Sequence, residues 1–346
     1  MLKGKEKYVL IIGGAGFIGS HLAVECLRNG HDIIVLDNLQ NSAKQALHRV
    51  ETIAKKSIIF IQGDVGDANL LHHVFLTYPI SMVIHLAALK AVGESVTMPL
   101  AYYHNNVSNT LKLLQVMQQA NVKTILFSSS ATVYGKPEAI PLTEGSAIGK
   151  PQNPYAASKV MIEQILQDLY RADPAWSIAI LRYFNPTGAH ESSLIGEASD
   201  GIPNNLVPFI AQVAIGQREK LLIYGNDYRT SDGTGVRDYI HVVDLALGHL
   251  KAADYLLQNK KGIYTWNLGR GCGHTVLEVV DAFEQSSGKK IPYEFGPRRA
   301  GDVAEYWADC SKANSELNWY AQRDLSQMMV DVWRWQKNNP NGFATR

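Results

Sequence analysis

Residues 9–22 read VLIIGGAGFIGSHL, an apolar run broken by glycines and continued by a stretch with helical spacing. The β-branched run suits a buried strand, and the glycines mark a turn that opens directly into a helix. Gly13, Gly16 and Gly19 stand at G-x-x-G-x-x-G spacing. One glycine permits a tight turn, another lets backbone approach a diphosphate, and the third lets the helix lie close to the strand. The helix N-terminus then offers amide groups and a positive dipole end to the phosphates. With strand, turn and helix in this order, the segment reads as a dinucleotide-binding turn.

The same alternation runs outward to about residue 182. Strand candidates are YVLII, IIVLD, IIFIQGD, MVIHLAA, TILFSSS and SIAILRYFN, separated by helical stretches such as FIGSHLAVECLRNG and NVSNTLKLLQVMQQANV. Continuous apolar strands separated by helices imply a parallel sheet covered on both faces, hence a doubly wound (Rossmann) α/β domain, expected over residues 1–185. After RYFNPTGAH, glycine, proline and asparagine become frequent. Residues 186–346 are expected to form a smaller, mixed α/β substrate-binding domain, with 236–270 packing partly back onto the first.

The 346-residue chain is 46% hydrophobic and 19% charged, as a globular protein is, and carries a formal net charge of +1. That balance gives no general attraction to nucleic acid or an anionic membrane, and neither partner is expected. Cys26, Cys272 and Cys310 are too scattered for a disulfide framework or a CxxC metal site. They read as packing residues in a reducing compartment, with no metal. The opening MLKGKEKYVLIIGGAGFIGSHL sets a basic stretch before an apolar one, as signal peptides do, but four glycines cut the apolar run. A cytoplasmic protein is expected.

The second strand ends in VLDNLQNS, with Asp37 eighteen residues after Gly19. A carboxylate there accepts hydrogen bonds from a ribose 2′-OH and repels a 2′-phosphate, favouring NAD over NADP. Asp37 is equally a turn or capping residue, and its neighbours Asn38, Asn41 and Ser42 share both readings. Asp64 and Val65, after the third strand, either meet an adenine or form a turn.

NPYAASK (153–159) places Tyr155 and Lys159 four apart, on one face of a helix for which Pro154 suits the first turn. An ammonium near a phenol favours the phenolate and makes tyrosine usable as a general base. An ordinary helix bearing a tyrosine and a lysine has the same spacing.

The glycine turn, SSSATVYG (128–135) and YAASK together resemble the extended short-chain dehydrogenase/reductase family. HLAALKAVGESV, LRYFNPTGAH, GIPNNLVPFIAQVA, GNDYRTSDGTGVRDYIHVVDLA and RRAGDVAEYWAD narrow the likeness to its nucleotide-sugar 4-epimerases, from about Tyr8 to VWRWQ. The resemblance implies Tyr155 as catalytic base, Lys159 on the nicotinamide ribose, and Ser130 on the reacting hydroxyl. Ser128 and Ser129 read as serving loose backbone groups at a strand end. The resemblance also implies that Phe17 and Ile18 line the phosphate turn and that Ala87, Lys90, Asn105 and Phe184 complete an NAD site. By residue type alone, Asn105 is a helix residue and Phe184 a core aromatic.

For a UDP-hexose substrate the likeness implies Asn185, Asn205, Leu206, Tyr224, Arg237, Arg299, Asp302 and Tyr306. A diphosphate on a nearly neutral protein needs dedicated arginines, and Arg237 and Arg299 suit phosphate oxygens. Arg237 has the alternative of an ion pair with a neighbour such as Asp238, and Arg298 reads as a solvated surface charge. The implied reaction is reversible inversion at C4 of UDP-glucose and UDP-galactose through a 4-keto sugar, with tightly held NAD, in galactose metabolism. The family's 4,6-dehydratases place an acid and a base where this chain has Ala131 and Thr132, and are set aside. An epimerase of N-acetylhexosamine nucleotides is the alternative, and bulky Tyr306 counts against it. A non-enzymatic NAD-sensing protein could dispense with Tyr155 and Lys159, yet both are present. Helices around 102–120 and 155–171 are expected to pair in a homodimer.

Overall fold

Runs of β-branched residues too short to be helices set the frame. In the computed structural model, which describes residues 7–198, 201–258, 260–299 and 302–344, these runs become strands separated by helices. β1 (Tyr8–Ile12), α1 (Phe17–Arg28), β2 (Asp32–Asp37), α2 (Lys44–Ala54), β3 (Ile59–Gln62), α3 (Ala68–Thr77) and β4 (Ile80–His85) alternate strictly. Short α4 (Val92–Thr97) and α5 (Pro99–Tyr102) and a π-helical stretch at Tyr103–Ser108 lead into α6 (Asn109–Gln119), β5 (Thr124–Ser128), α7 (Pro154–Ala172) and β6 (Ser177–Tyr183). Smaller elements follow: β7 (Asn185–Thr187), α8 (Leu206–Ala214), β8 (Leu221–Tyr224), β9 (Val236–Arg237) and β10 (Tyr239–His241). The chain ends with α9 (Val242–Leu257), β11 (Gly262–Leu268), β12 (His274–Thr275), α10 (Val276–Ser287), β13 (Tyr293–Gly296), β14 (Glu305–Tyr306), α11 (Ser311–Leu317) and α12 (Leu325–Asn338).

Caps decide where several helices start. Asp67 accepts from Leu70 N before α3, Asn153 from Ala156 N before α7, and Asp324 from Gln327 N before α12. Thr275 and Glu278 form a reciprocal capping box on α10.

Among the described residues the main sheet has seven strands in the order β3-β2-β1-β4-β5-β6-β11. The pairs from β3 through β6 are parallel. This is the doubly wound topology expected from the alternation, with its switch point between β1 and β4. Leu10, Ile12, Ile34, Phe127 and Ile178 from the strands meet Leu71, Leu113 and Ile162 from the helices in a buried core.

The described residues divide into two compact units. The first holds those up to Gly135 together with Ala147–Arg182 and Ala246–Trp266; the second holds Lys136–Ser146, Tyr183–Leu245 and the residues from Asn267 onward. Residues 136–146 thus join the second unit, although they precede its other segments in the chain. Glu144 accepts from Asn267 N, and Leu142 pairs with Ala308 and exchanges backbone bonds with Trp307 and Asp309. The second unit has small sheets, β7 with β10, β12-β9-β14, and β8 with β13. Its core sets Val207 and Ile210 of α8 against Val279 and Phe283 of α10 and Met328 and Val332 of α12.

Candidate active site

In the first unit the candidate residues gather where β1, β2, β3, β4 and β5 end, the edge at which open α/β sheets bind ligands. Gly13 has φ +84°, and a Cβ there would stand 2.7 Å from Ala87 N. Gly19 has no room either, because a Cβ would overlap the backbone of Gly13 and Gly14. Phe17 and Ile18 open α1, which no side chain caps and which carries no acidic residue in its first turn. A diphosphate can therefore approach the backbone and the positive end of the helix without competition.

Asp37 is buried, and its carboxylate already serves the turn. Oδ2 accepts from Ala15 N at 2.9 Å, while Oδ1 accepts from Leu39 N at 2.9 Å and Ser42 Oγ at 2.7 Å. A carboxylate offers about four acceptor sites, so capacity for a ribose hydroxyl remains beside the turn role. Asn38 donates to Asp64 Oδ2 at 2.7 Å and ties the tips of β2 and β3 together. Val65 is buried and Asn41 exposed.

Ala87 N donates to Ile12 O at 3.1 Å, which brings the end of β4 against the glycine turn; Lys90 beyond it is exposed. Asn105, expected in an ordinary helix around 102–120, lies in the π-helical stretch and donates to Asn106 Oδ1 at 3.0 Å. Its neighbour Asn106, which residue type did not single out, is 1% exposed. It bonds both backbone groups of Leu89, at 2.9 and 3.0 Å, and donates to Ser158 Oγ at 3.0 Å. Asn106 therefore joins the segment bearing Lys90 to the helix bearing Lys159. π-helical insertions often mark such sites.

Helix α7 buries Tyr155 and Lys159 on one face, with Lys159 Nζ 5.9 Å from the Tyr155 ring centroid. Nζ donates to Ser128 O at 2.7 Å and lies 4.7 Å from the Phe127 ring centroid. Burial pulls the Lys159 ammonium down to about 7, and the Glu163 carboxylate one turn further on opposes that fall. His85 is pushed to about 3 by burial and by Lys159, so its ring is neutral. Ser130, 8% exposed, accepts from Thr132 N at 3.2 Å and Thr132 Oγ1 at 3.0 Å. Neither bond uses the Ser130 proton.

Ser128 and Ser129 depart from the expectation that they serve loose backbone groups. Ser128 Oγ meets His249 Nε2 at 3.0 Å, and Ser129 Oγ donates to Glu163 Oε1 at 2.5 Å. Glu163 also takes Arg182 Nη2 at 2.6 Å and Nε at 3.0 Å, while Arg182 Nη1 donates to the Tyr134 hydroxyl at 3.2 Å. Burial works against the Arg182 charge, yet Glu163 holds its pKa above the ordinary value. These partners are far apart in sequence, so local spacing carried no sign of them.

The second unit places Arg237, Asp302 and Tyr306 together. Arg237 Nη2 donates to Asp302 Oδ1 at 2.5 Å, and its guanidinium stands 5.1 Å from the Tyr306 ring centroid. The ion pair open to Arg237 is thus made with Asp302, while Asp238 bonds backbone groups instead. Burial acts against the Arg237 charge, but Tyr306 and Asp302 hold it above the usual value. Phe184, buried, packs against Tyr306 at 5.6 Å between centroids. Arg299 stands 4.0 Å over the Tyr224 ring. Asn205 precedes α8 without capping it, donates to Glu197 at 2.9 Å, and is followed by half-buried Leu206. Asn185 Oδ1 is buried with no hydrogen-bond partner among the described residues. Arg298 is less free than a solvated charge, since it pairs with Asp227 at 2.6 Å and stacks 4.1 Å from the Tyr228 ring centroid.

Comparison with known proteins places these features in context. The family model described as GDP-mannose 4,6 dehydratase matches residues 10–332. The UDP-glucose 4-epimerase of Bacillus subtilis (strain 168) is 55% identical over 97% of this chain and 99% of its own length. That of Pasteurella multocida (strain Pm70) is 56% identical over the same shares. Among solved structures, UDP-glucose 4-epimerase from Bifidobacterium longum in complex with NAD+ and UDP superposes with a TM-score of 0.94 at 52% identity, covering 97% of this chain and 100% of that one. The Stenotrophomonas maltophila enzyme, with bound NAD and formylated UDP-arabinopyranose, gives 0.94 at 44% identity over 96% and 99%.

Proposed function

The chain belongs to the UDP-glucose 4-epimerases, within the family described as GDP-mannose 4,6 dehydratase, and we propose that it interconverts UDP-glucose and UDP-galactose by reversible inversion at C4. What carries this reading is the buried face of α7, which holds Tyr155 and Lys159 together and from which Lys159 reaches the carbonyl of Ser128, at the end of the strand leading to Ser130.

The first unit fits NAD: an uncapped α1, a glycine turn without room for a Cβ at Gly13 or Gly19, and spare acceptor capacity at Asp37. Gly13, Gly16, Phe17, Ile18, Gly19, Asp37, Asp64, Ala87, Lys90 and Asn105 would hold it there, with Lys159 on a ribose. When bound, NAD supplies a reversible hydride acceptor for C4 of the hexose, so the net reaction involves no oxidation. Tyr155 takes the 4-hydroxyl proton and later returns it, while Ser130 directs its own proton to the same oxygen. A charged Lys159 near the phenol ring favours the phenolate. Within the second unit, Arg237 and Arg299 have the guanidinium chemistry to hold the diphosphate of such a substrate. Ala131 is buried and Thr132 donates to Ser130, so neither supplies the acid and base of a dehydratase.

A homodimer and a cytoplasmic setting belong to the same proposal. Leu111 on α6 and Met161 on α7 are 41% and 46% exposed, and a second copy covering them doubles the molar mass in solution. No helix among the described residues is long and apolar enough to cross a membrane.

Purified protein, denatured and centrifuged, is expected to release NAD and no NADP; release of NADP would contradict the role of Asp37. Gly19→Ala is expected to yield protein without NAD, because the added methyl meets backbone that cannot give way. Tyr306→Ser is expected to raise turnover of UDP-N-acetylglucosamine relative to UDP-glucose by roughly tenfold or more, the scale of a pocket enlarged by several heavy atoms. An unchanged ratio would mean that Tyr306 does not set the substrate choice.

A further inference from the structure

Asp238, between β9 and β10, is fully buried, and its carboxylate accepts hydrogen bonds from three backbone N–H groups. Oδ1 accepts from Arg270 N at 2.8 Å, and Oδ2 accepts from Gly271 N at 3.0 Å and Ala308 N at 3.1 Å. Its own carbonyl accepts from Asn185 N at 3.0 Å. Burial lifts this carboxyl to about 6, against the pull of the three backbone donors. One residue therefore ties four segments together. β9 carries Arg237, β14 carries Tyr306 in register with it, loop 269–271 closes over the carboxylate, and β7 carries Asn185. Gly269 has no room for a side chain, since a Cβ would overlap Asp238 Oδ2 and come within 2.8 Å of the Ala308 methyl.

We propose that Asp238 is a positioning residue for the sugar nucleotide, fixing the strand register that aims Arg237 at the diphosphate. The proposal depends on the second unit being the UDP-hexose site. Asp238 touches no substrate itself; it acts through the backbone it holds. A carboxylate has only acceptor oxygens, which is what three converging N–H groups require. Asp238→Asn keeps the shape but turns one oxygen into a donor that faces other donors.

The test is calorimetric titration of UDP into the NAD-loaded protein, in wild type, Asp238→Asn, Arg237→Ala and the double variant. Asp238→Asn is expected to weaken UDP binding at least tenfold while NAD content stays within twofold of wild type. In the Arg237→Ala background the same change is expected to cost less than threefold, because the grip it aims is already gone. Equal weakening in both backgrounds, or unchanged affinity in the single variant, overturns the role. If Asp238→Asn is recovered unfolded, Gly269→Ala displaces the same carboxylate and is read in the same way. A wild type that fails to bind UDP contradicts the substrate reading, and is told apart from failure of Asp238 alone because the wild type is titrated first.

Discussion

Tyr155→Phe is expected to lose about 10³-fold in kcat, roughly 4 kcal/mol of transition-state stabilisation, while binding UDP and retaining NAD as the wild type does. The substitution removes one oxygen from a side chain 8% exposed, and the ring keeps its place on α7. Asn153 still caps the helix and Ser158 Oγ still donates to the backbone carbonyl of residue 155 at 2.7 Å. Loss of turnover with unchanged UDP affinity is the mark of a group that acts in the transition state. A parallel loss of UDP affinity would instead make Tyr155 a binding residue, and a loss below tenfold would move the proton transfer elsewhere.

Glu163→Ala is expected to destabilise the fold by about 3–5 kcal/mol, measured as a fall in the urea midpoint at unchanged slope. Glu163 and Arg182 have side chains 3% and 6% exposed, and removing the carboxylate leaves the guanidinium charged in a site that excludes water. Ser129 loses its acceptor at the same time. Replacing both members by methionine is expected to recover most of the loss, because two apolar side chains leave no uncompensated charge. The single variant also removes the carboxylate that opposes the fall of Lys159, so Lys159 gives up its proton at a lower pH than about 7. A loss under 1 kcal/mol would show that water reaches Arg182 once Glu163 is gone.

How far the site can be read from sequence follows from how far apart its parts lie. The glycine turn and the Tyr155–Lys159 pair are defined within a few residues, so their spacing carries both geometry and chemistry. The parallel sheet was legible for a similar reason, since apolar runs such as β1, β2 and β6 are strands buried on both faces. Asn106 was not, because its partners Leu89 and Ser158 come from other elements and its residue type fits any helix. Ser128 and Ser129 looked like ordinary strand-end serines until α9 and α7 brought His249 and Glu163 to them. Residues 136–146 join the second unit through pairings with residues more than a hundred positions on, which local composition does not encode. Asp37 sits between these cases. Its position after β2 was legible, but the three donors it accepts depend on the folded turn.

The measurement closest to the central claim follows the anomeric proton signals of UDP-galactose by NMR during incubation with purified protein and no added NAD. Conversion to UDP-glucose that halts at a mixture, reached also from UDP-glucose and nearly abolished in Tyr155→Phe, is the predicted result. No conversion from either sugar, even with NAD supplied, would contradict C4 epimerisation of UDP-hexoses by this protein.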